Sequence, residues 1–286
     1  MRWYLLTMAV LTAQHGAAGL AMEWPNGARA AIVLTYDDAA PSQLDYAIPA
    51  LDSAGLKGTF FLSNVRQADV ERWRSAAASG HELANHTLNH PCLAGTFEMP
   101  RRQQLEQYTP EAVLQEIRQQ NVLLTALDGL TEHGFAVPCG QAVAGGRDYL
   151  EPLRRSGLVA YSRSIDQSDA DLQRDPSSLD LLKLPGRAFT SPAGAEQMIG
   201  FAERAAKGGG LAVYVFHGVG GDYLSVTASD HRRLVEWLAD NRQTYWVATM
   251  RDVVKWIAGA KGRSSAPRDQ QKDGAGAKSE HGKQQK

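Results

Sequence analysis

The sequence predicts an α/β fold, a distorted (β/α) barrel of seven or eight parallel strands. Short runs rich in β-branched and aromatic residues alternate with stretches of helical periodicity, the pattern of repeated strand–helix units. Residues 23–260 have an ordinary length for one such domain with a full core. Chemistry in a barrel of this kind lies at the carboxyl ends of the strands, so the residues that follow each strand are the functional candidates.

The amino-terminal half contains four predicted strands and three helices. Gly55 and Gly80 are suitable C-caps for the first two helices, and Thr109 followed by Pro110 is a suitable start for the third. The predicted strands are 30–36, 57–63, 81–85 and 134–137. The predicted helices are 43–54, 68–79 and 109–127, with a long loop at 91–108.

The carboxyl-terminal half continues the same alternation with shorter apolar runs. The predicted strands are 158–161, 181–184, 211–216 and 244–248. The predicted helices are 193–206, 228–240 and 251–258.

Both ends of the chain differ in composition from the domain. Residues 1–21 resemble an export signal, with a positive start, an apolar stretch and small residues before a cleavage site; a buried helix is the alternative. The apolar stretch is too short to span a bilayer core of about 30 Å, so no stable membrane insertion is expected. Residues 261–286 lack large apolar side chains and are expected to form a disordered tail. We therefore expect a secreted or periplasmic protein.

The charge is balanced, with 30 basic and 31 acidic residues. No basic stripe is present, so a nucleic-acid partner has no electrostatic support. Nothing in the sequence indicates an oligomeric state. The two cysteines, Cys92 and Cys139, either form a disulfide between two loops, which an oxidising compartment favours, or remain as buried thiols.

Five polar residues follow three of the predicted strands. Asp37 and Asp38 follow the first strand, His86 and His90 follow the third, and His217 follows strand 211–216. Two histidines and one aspartate can hold a divalent cation with an open position for water, while the second aspartate acts as general base. Alone, an acidic pair suits a turn and a histidine pair suits packing; their joint occurrence favours a hydrolytic metal site.

The other strand-end and helix histidines are assigned no function. We expect His81 to be structural, His133 to lie in a loop, and His231 to lie on a helix surface.

Four segments resemble the polysaccharide deacetylase (NodB-homology) domain of carbohydrate esterase family four. They are Thr35-Tyr36-Asp37-Asp38, His86-Thr87-Leu88-Asn89-His90, the turn at Pro138, and the strand that ends at His217. The segment 55–61 is also similar to the link into the second strand of that family. The resemblance implies a distorted barrel of NodB type and metal-dependent removal of acetyl groups from carbohydrate.

If the roles of the family are transferred to the matching positions, Asp37 would be the base, and the metal would be bound by Asp38, His86 and His90. The ion implied is zinc, with cobalt or nickel as alternatives, because this donor set accepts several divalent ions.

The resemblance also assigns supporting roles. Thr87 would orient hydrogen bonds around the ligands, His217 would be the acid that protonates the leaving group, and the backbone amide near Cys139 would stabilise the oxyanion.

The sequence departs from the family in three respects. Residues 165–169 lack the aspartate–tryptophan pair in which the aspartate supports the acid histidine. The arginine that steadies the base is replaced by Ala136, and we predict that Arg163 supplies the cation instead. Tyr214 stands where the family usually has leucine near the acetyl pocket, so an unusual pocket is expected.

The function that the resemblance implies is deacetylation of an extracytoplasmic glycan, of the N-acetylglucosamine type. The alternatives are an O-acetyl esterase acting on acetylxylan-like polysaccharide and a catalytically silent glycan-binding relative. Side chains that could stack on sugar rings are Trp73, Phe97, Tyr108, Tyr149 and Tyr223.

Overall fold

The computed structural model describes residues 23–168, 172 and 178–265. The predicted export signal at 1–21 lies outside the described residues, as does the predicted tail from 266 onward. The last helix continues to Ser265, past the expected end of the domain at residue 260. No helix in the described ranges is both long and apolar enough to cross a membrane.

Helices and strands alternate along the chain. The strands are β1 (Ala30–Asp37), β2 (Thr59–Leu62), β3 (Glu82–Asn85), β4 (Phe135–Ala136), β5 (Val143–Ala144), β6 (Arg147–Asp148), β7 (Ser162–Arg163), β8 (Arg187–Ala188), β9 (Leu211–Phe216) and β10 (Tyr245–Val247). The helices are α1 (Ile48–Ser53), α2 (Val70–Ala78), α3 (Pro110–Asp128), α4 (Leu150–Ser156), α5 (Ala195–Gly208), α6 (Ala228–Asp240) and α7 (Met250–Ser265). A π-helical turn, Gln43–Ala47, leads into α1.

One sheet of eight parallel strands organises the described domain. Its order is β7-β4-β3-β2-β1-β9-β8, and β10 pairs with the first residues of β1. The sheet curls into a half-barrel, which confirms the predicted α/β fold and strand number. Strands β5 and β6 form a separate antiparallel hairpin.

The centre of the sheet is fully enclosed. Every residue of β1 and of β9 is buried, as expected for parallel strands covered on both faces. One apolar cluster lies between the sheet and helices α1, α2, α5 and α6, and a second lies inside the curl against α7. Because both faces of the sheet are packed, the polar residues that follow the strands lie at the rim formed by the carboxyl ends of the strands.

The edge strands differ from the prediction. The strand expected at 158–161 begins at Ser162, and the one expected at 181–184 is reduced to a single bridge between Leu184 and Arg163, with β8 following at Arg187–Ala188. Helix α4 and the β5–β6 hairpin were not predicted. These elements are short, so their periodicity is too brief to be read from sequence.

Two histidines lie deeper than predicted. His231 is fully buried on the inner face of α6, where its Nε2 lies 2.7 Å from the hydroxyl of Tyr36. His133 is also fully buried, with its Nε2 3.2 Å from the carboxylate of Asp128. The expectation of a surface position for His231 was wrong, because its ring packs inward against a polar partner. His133 does lie in a loop, as predicted, but its ring is buried. His81 is buried as a structural residue, and its Nδ1 accepts from the amide of Gly58.

Candidate metal and hydrolytic site

The carboxyl ends of β1, β3 and β9 bring the predicted site residues together. β1 pairs in parallel with β9 and with β2, and β2 pairs in parallel with β3, so these ends meet at one rim. Asp38 follows β1, His86 follows β3 and His217 follows β9. Positions 38, 86 and 217 are far apart in sequence, and the strand order alone makes them neighbours.

Asp38, His86 and His90 form the predicted ligand cluster. Asp38 Oδ1 lies 3.4 Å from His86 Nε2 and 3.2 Å from His90 Nε2, and the two Nε2 atoms are 3.1 Å apart. Asp38 Oδ1 is buried and has no hydrogen-bond partner within the described part of the chain. An unpartnered carboxylate oxygen that faces two imidazole nitrogens fits a divalent cation such as zinc.

The imidazole of His86 is oriented to present a lone pair. Its Nδ1 donates to the carbonyl oxygen of Ala136 at 2.8 Å, which leaves Nε2 directed at Asp38. Burial lowers the pKa of His86 to about 4, against the opposing effect of nearby carboxylates. The ring is therefore neutral at physiological pH, as a metal ligand must be.

His90 is held from two sides. Its backbone amide donates to Thr87 Oγ1 at 3.0 Å, and the Thr87 amide donates to Asn85 Oδ1 at 2.8 Å. Its Nδ1 lies 3.6 Å from Cys92 Sγ. Thr87 thus fixes the backbone of the turn that carries the second histidine.

The site concentrates unusual backbone. Non-glycine residues with positive φ include Asp38 (75°), Ala39 (54°), Thr87 (61°), His90 (51°) and Cys139 (54°). Each left-handed conformation costs about 1–3 kcal/mol and persists only where surrounding contacts hold it. Such a set at one rim is typical of a functional site.

Arg163 lies against the carboxylate of Asp37. Its Nη2 donates to Asp37 Oδ1 at 2.6 Å and to Oδ2 at 2.5 Å, and both side chains are buried. Arg163 on β7 is the direct register partner of Ala136 on β4, the position where the family arginine is missing. Strand β7 therefore places the guanidinium of Arg163 next to Ala136, the position without an arginine.

The electrostatics of Asp37 follow from this pair. Burial alone would raise the pKa of Asp37, but the positive charge of Arg163, its hydrogen bonds to the carboxylate and the nearby imidazoles outweigh burial, so the pKa is lowered. Asp37 Oδ2 lies 3.8 Å from His86 Nε2, beside the ligand cluster. An ionised carboxylate at this position can accept a proton from water held at the site.

His217 lies beside the cluster, with Nε2 3.8 Å from Asp38 Oδ2. Its side chain is 15% exposed, so a substrate can reach it. Gln43, which sequence reasoning missed, is fully buried and donates to the carbonyl oxygens of both Asp37 (2.5 Å) and His217 (3.0 Å). No sequence signal marked it, because a glutamine in an amphipathic helix is usually a surface residue.

The structure joins Cys92 and Cys139 in a disulfide. The bond ties the loop after β3 to the turn after β4, Pro138–Gly140. Both sulfurs lie near His90, but as a disulfide they offer no thiolate to a metal.

The five aromatic candidates separate into exposed and packed groups. Phe97 (48% exposed) lies with its ring 5.9 Å from that of His90, and Tyr223 (55% exposed) lies 6.2 Å from that of His217. Trp73 and Tyr149 are buried in apolar clusters, and the hydroxyl of Tyr108 donates to Glu116. Phe97 and Tyr223 are therefore the two exposed candidates that lie next to histidines of the site.

Tyr214 does not border the site, contrary to the prediction. Its ring packs with Phe189 and Phe201 below α5, and its hydroxyl donates to the carbonyl of Met198 at 2.8 Å. Because successive residues of a strand face opposite sides, Tyr214 points away from the side that its neighbours Val213 and Val215 face.

Comparison with known proteins supports the predicted resemblance. The polysaccharide deacetylase family model matches residues 25–157, which contain the first two motifs and the turn at Pro138. The resemblance stated from sequence is confirmed over that range.

Solved structures share the fold at low sequence identity. A Mycobacterium smegmatis protein provisionally assigned as a polysaccharide deacetylase is 18% identical, with a TM-score of 0.60 over 84% of this chain and 94% of that one. The peptidoglycan deacetylase PdaC of Bacillus subtilis is 16% identical, with a TM-score of 0.52 over 82% and 94%. A Clostridium thermocellum family 4 acetyl xylan esterase, solved with cobalt, is 18% identical, with a TM-score of 0.50 over 81% and 91%.

A curated relative shares part of the sequence. A gellan lyase of a Bacillus species is 27% identical over 175 residues, which are 59% of this chain. The chain covers only 6% of that protein's length, so the lyase name describes a much larger molecule.

Proposed function

Because residues 25–157 match the polysaccharide deacetylase family model, we propose that the chain is a metal-dependent hydrolase that removes acetyl groups from an extracytoplasmic glycan. The substrate proposed is an N-acetylglucosamine-type polysaccharide or oligosaccharide. The observation that carries the proposal is the unpartnered Oδ1 of Asp38, which faces two histidine nitrogens beside the ionised carboxylate of Asp37.

The residues divide the chemistry between them. Asp38, His86 and His90 would hold the ion, which supplies Lewis-acid polarisation of the acetyl carbonyl and of water. Asp37 removes a proton from the attacking water, and His217 donates one to the departing nitrogen. The backbone amide near Cys139 donates to the oxyanion; a donor of this kind contributes about 3 kcal/mol to lowering the barrier.

The Arg163 contact favours an active enzyme over a silent binding relative. The absence of arginine at position 136 was the feature that pointed to lost activity. Arg163 Nη2 contacts both oxygens of Asp37, so the base has a buried cation despite that absence. A binding module would have no use for a buried arginine that steadies an ionised aspartate.

An extracytoplasmic location is consistent with the disulfide beside the site. Structural disulfides persist in oxidising compartments and are rare in the cytosol. The domain boundaries proposed are a signal segment at 1–21, a catalytic domain from 23 to about the end of α7, and a tail beyond it.

The test is acetate release from chitin oligosaccharides, peptidoglycan and acetylxylan, with added zinc or cobalt and with chelator. We expect release from an N-acetylated glycan, abolished by the chelator and restored by metal. Release from acetylxylan alone would favour the esterase alternative. Full activity after complete metal removal would refute the proposal.

Two variants separate binding of the ion from proton transfer. We expect Asp37→Ala to retain the metal and lose at least a hundredfold in kcat/KM, because it removes only the base. His86→Ala should lose both metal and activity. Asp45→Ala, an exposed aspartate after the same strand, is the matched control and should leave both unchanged.

A further inference from the structure

We propose that Tyr223 is a positioning residue of this metal site, whose hydroxyl orients Asp38 so that a single carboxylate oxygen faces the ion. The inference rests on the proposed function, because it takes Asp38 to be a ligand. None of the four sequence motifs includes this tyrosine, which lies in the loop after β9.

The contact divides the two oxygens of Asp38 between different partners. The Tyr223 hydroxyl donates to Asp38 Oδ2 at 3.0 Å. Oδ1 is buried without a hydrogen bond and faces the Nε2 atoms of His86 and His90. Aspartate can bind a cation through one oxygen or two, so a donor on Oδ2 favours binding through Oδ1 alone.

Hydrogen bonds hold the loop that carries Tyr223 in place. Asp222 accepts a hydrogen bond from the amide of Ser42 at 2.8 Å, and the amide of Val219 donates to the Ser42 hydroxyl at 3.1 Å. Gly218 donates its amide to the carbonyl of Tyr223 at 3.1 Å. Ser42 follows the Asp37-Asp38 turn, so the two loops that make the Tyr223–Asp38 contact are fastened directly to each other.

Close packing makes one glycine of the loop essential. A Cβ at Gly218 would lie 2.1 Å from the carbonyl oxygen of Gly221 and 2.9 Å from that of Tyr223. The residues on either side of Tyr223, Asp222 and Leu224, both have positive φ, at 62° and 45°. The loop therefore contains local backbone strain at the residues that flank Tyr223, whose side chain contacts the site.

The ring of Tyr223 has different contacts from its hydroxyl. It is tilted against His217 with centroids 6.2 Å apart, and more than half of the residue is exposed. A sugar that brings its acetyl group to His217 would therefore pass along the ring. Removing the hydroxyl alone distinguishes positioning of Asp38 from contact with sugar.

Metal affinity is the primary measurement, by zinc competition with a chromogenic chelator on the full chain. For Tyr223→Phe we expect zinc affinity to fall about 10-fold or more, as for loss of other groups that hold metal ligands. KM for the glycan should change little, because the ring remains. Tyr223→Ala should lose metal affinity to a similar extent and raise KM as well.

The visible spectrum of the cobalt-substituted protein gives a second readout. We expect Tyr223→Phe to change the intensity of the cobalt d–d bands, since a second Asp38 oxygen becomes free to coordinate. Tyr46→Phe is the matched control, an exposed tyrosine after β1 with no described contact to a ligand; it should match the wild type in both measurements.

Wild-type zinc affinity and an unchanged cobalt spectrum in Tyr223→Phe would overturn the inference. Equal losses in Tyr223→Phe and Tyr46→Phe would overturn it too, because the effect would not be specific to the contact with Asp38. The two proposals fail separately. If the wild type binds zinc but releases no acetate, the proposed function fails while the effect of Tyr223 on affinity is still measured.

Discussion

Asp37 keeps its charge with almost no access to solvent. An unpaired carboxylate in such a position would be expected to take up a proton, because burial raises its pKa. Arg163 and the two nearby imidazoles reverse that direction. Asp37 is therefore ionised at neutral pH, and its ionisation depends on a residue from a different strand.

Replacement of Arg163 by methionine should shift the pH dependence of catalysis. Without the guanidinium, the pKa of Asp37 rises, so the acid limb of the kcat/KM profile moves to higher pH and activity is lost first on the acid side. The wild-type pair adds stability above the unfolded-state pKa of aspartate, and that stability is lost as pH falls through the lowered folded-state pKa. The measurements are a pH–rate profile and urea unfolding at neutral pH and at pH 4.

The same variant leaves a buried charge unpaired, which costs about 3–5 kcal/mol in the free energy of unfolding. That loss could unfold the protein. We therefore add the double variant Arg163→Ala with Ala136→Arg, which moves the arginine to the adjacent strand. Positions 136 and 163 are register partners on adjacent strands, so the relocated arginine should restore part of both activity and stability. An unshifted acid limb in folded Arg163→Met would contradict this account.

At the scale of elements, the site depends on turns that are individually strained. The turn after β3 carries Thr87 and His90 with positive φ, and the turn after β4 carries Cys139 with positive φ. Neither turn is stabilised by regular pairing, so other contacts must hold them. The disulfide supplies a covalent one between the two.

Replacing both Cys92 and Cys139 by serine should destabilise the domain and loosen the metal site. The bond closes a sequence separation of 47 residues, for which loop-closure entropy gives about 4 kcal/mol. His90 also loses the sulfur that lies 3.6 Å from its Nδ1. We expect lower stability in urea and weaker zinc binding; reduction of the wild type with a phosphine should reproduce both effects. Unchanged zinc affinity in the folded double variant would show that the bond does not support the ligands.

At the scale of the whole molecule, the candidate site joins strands that are distant in sequence. The proposed ligands follow β1 and β3, the proposed base contacts β7, and the proposed acid follows β9. An ion bound by these residues stabilises only the folded state, because the unfolded chain does not hold the ligands together.

Metal removal should therefore lower the thermal stability of the domain. Zinc at 100 times its dissociation constant adds about 2.7 kcal/mol to the free energy of unfolding. For a domain of this size that corresponds to a rise of about 5–10 °C in Tm. Calorimetry with zinc and with chelator measures the difference, and the His86→Ala variant should show none. An identical Tm in zinc and chelator for the wild type would contradict the ligand assignment.

The sequence by itself determined the strand–helix alternation, the central strands and the identity of the polar residues that follow them. Long apolar runs such as 211–216 and capped helices such as α6 carry their own local signals, and the two motifs after β1 and β3 are specific as a pair. The edge strands β7 and β8 were misplaced because two residues give no measurable period. Burial of His231 also escaped prediction, since a histidine on a helix gives no sign of which face is covered. Burial of the loop residue His133 escaped as well, because loops usually lie at the surface.

Only the tertiary structure decided which residues meet. The double hydrogen bond from Gln43 and the contact of Tyr223 with Asp38 were not expected from sequence. The partnership of Arg163 with Asp37 was predicted, but its distances come from the fold. Strand order and register set these distances, and both result from packing of the entire sheet rather than from any one segment. Sequence patterns therefore specified the chemical groups, and the parallel sheet determined their arrangement.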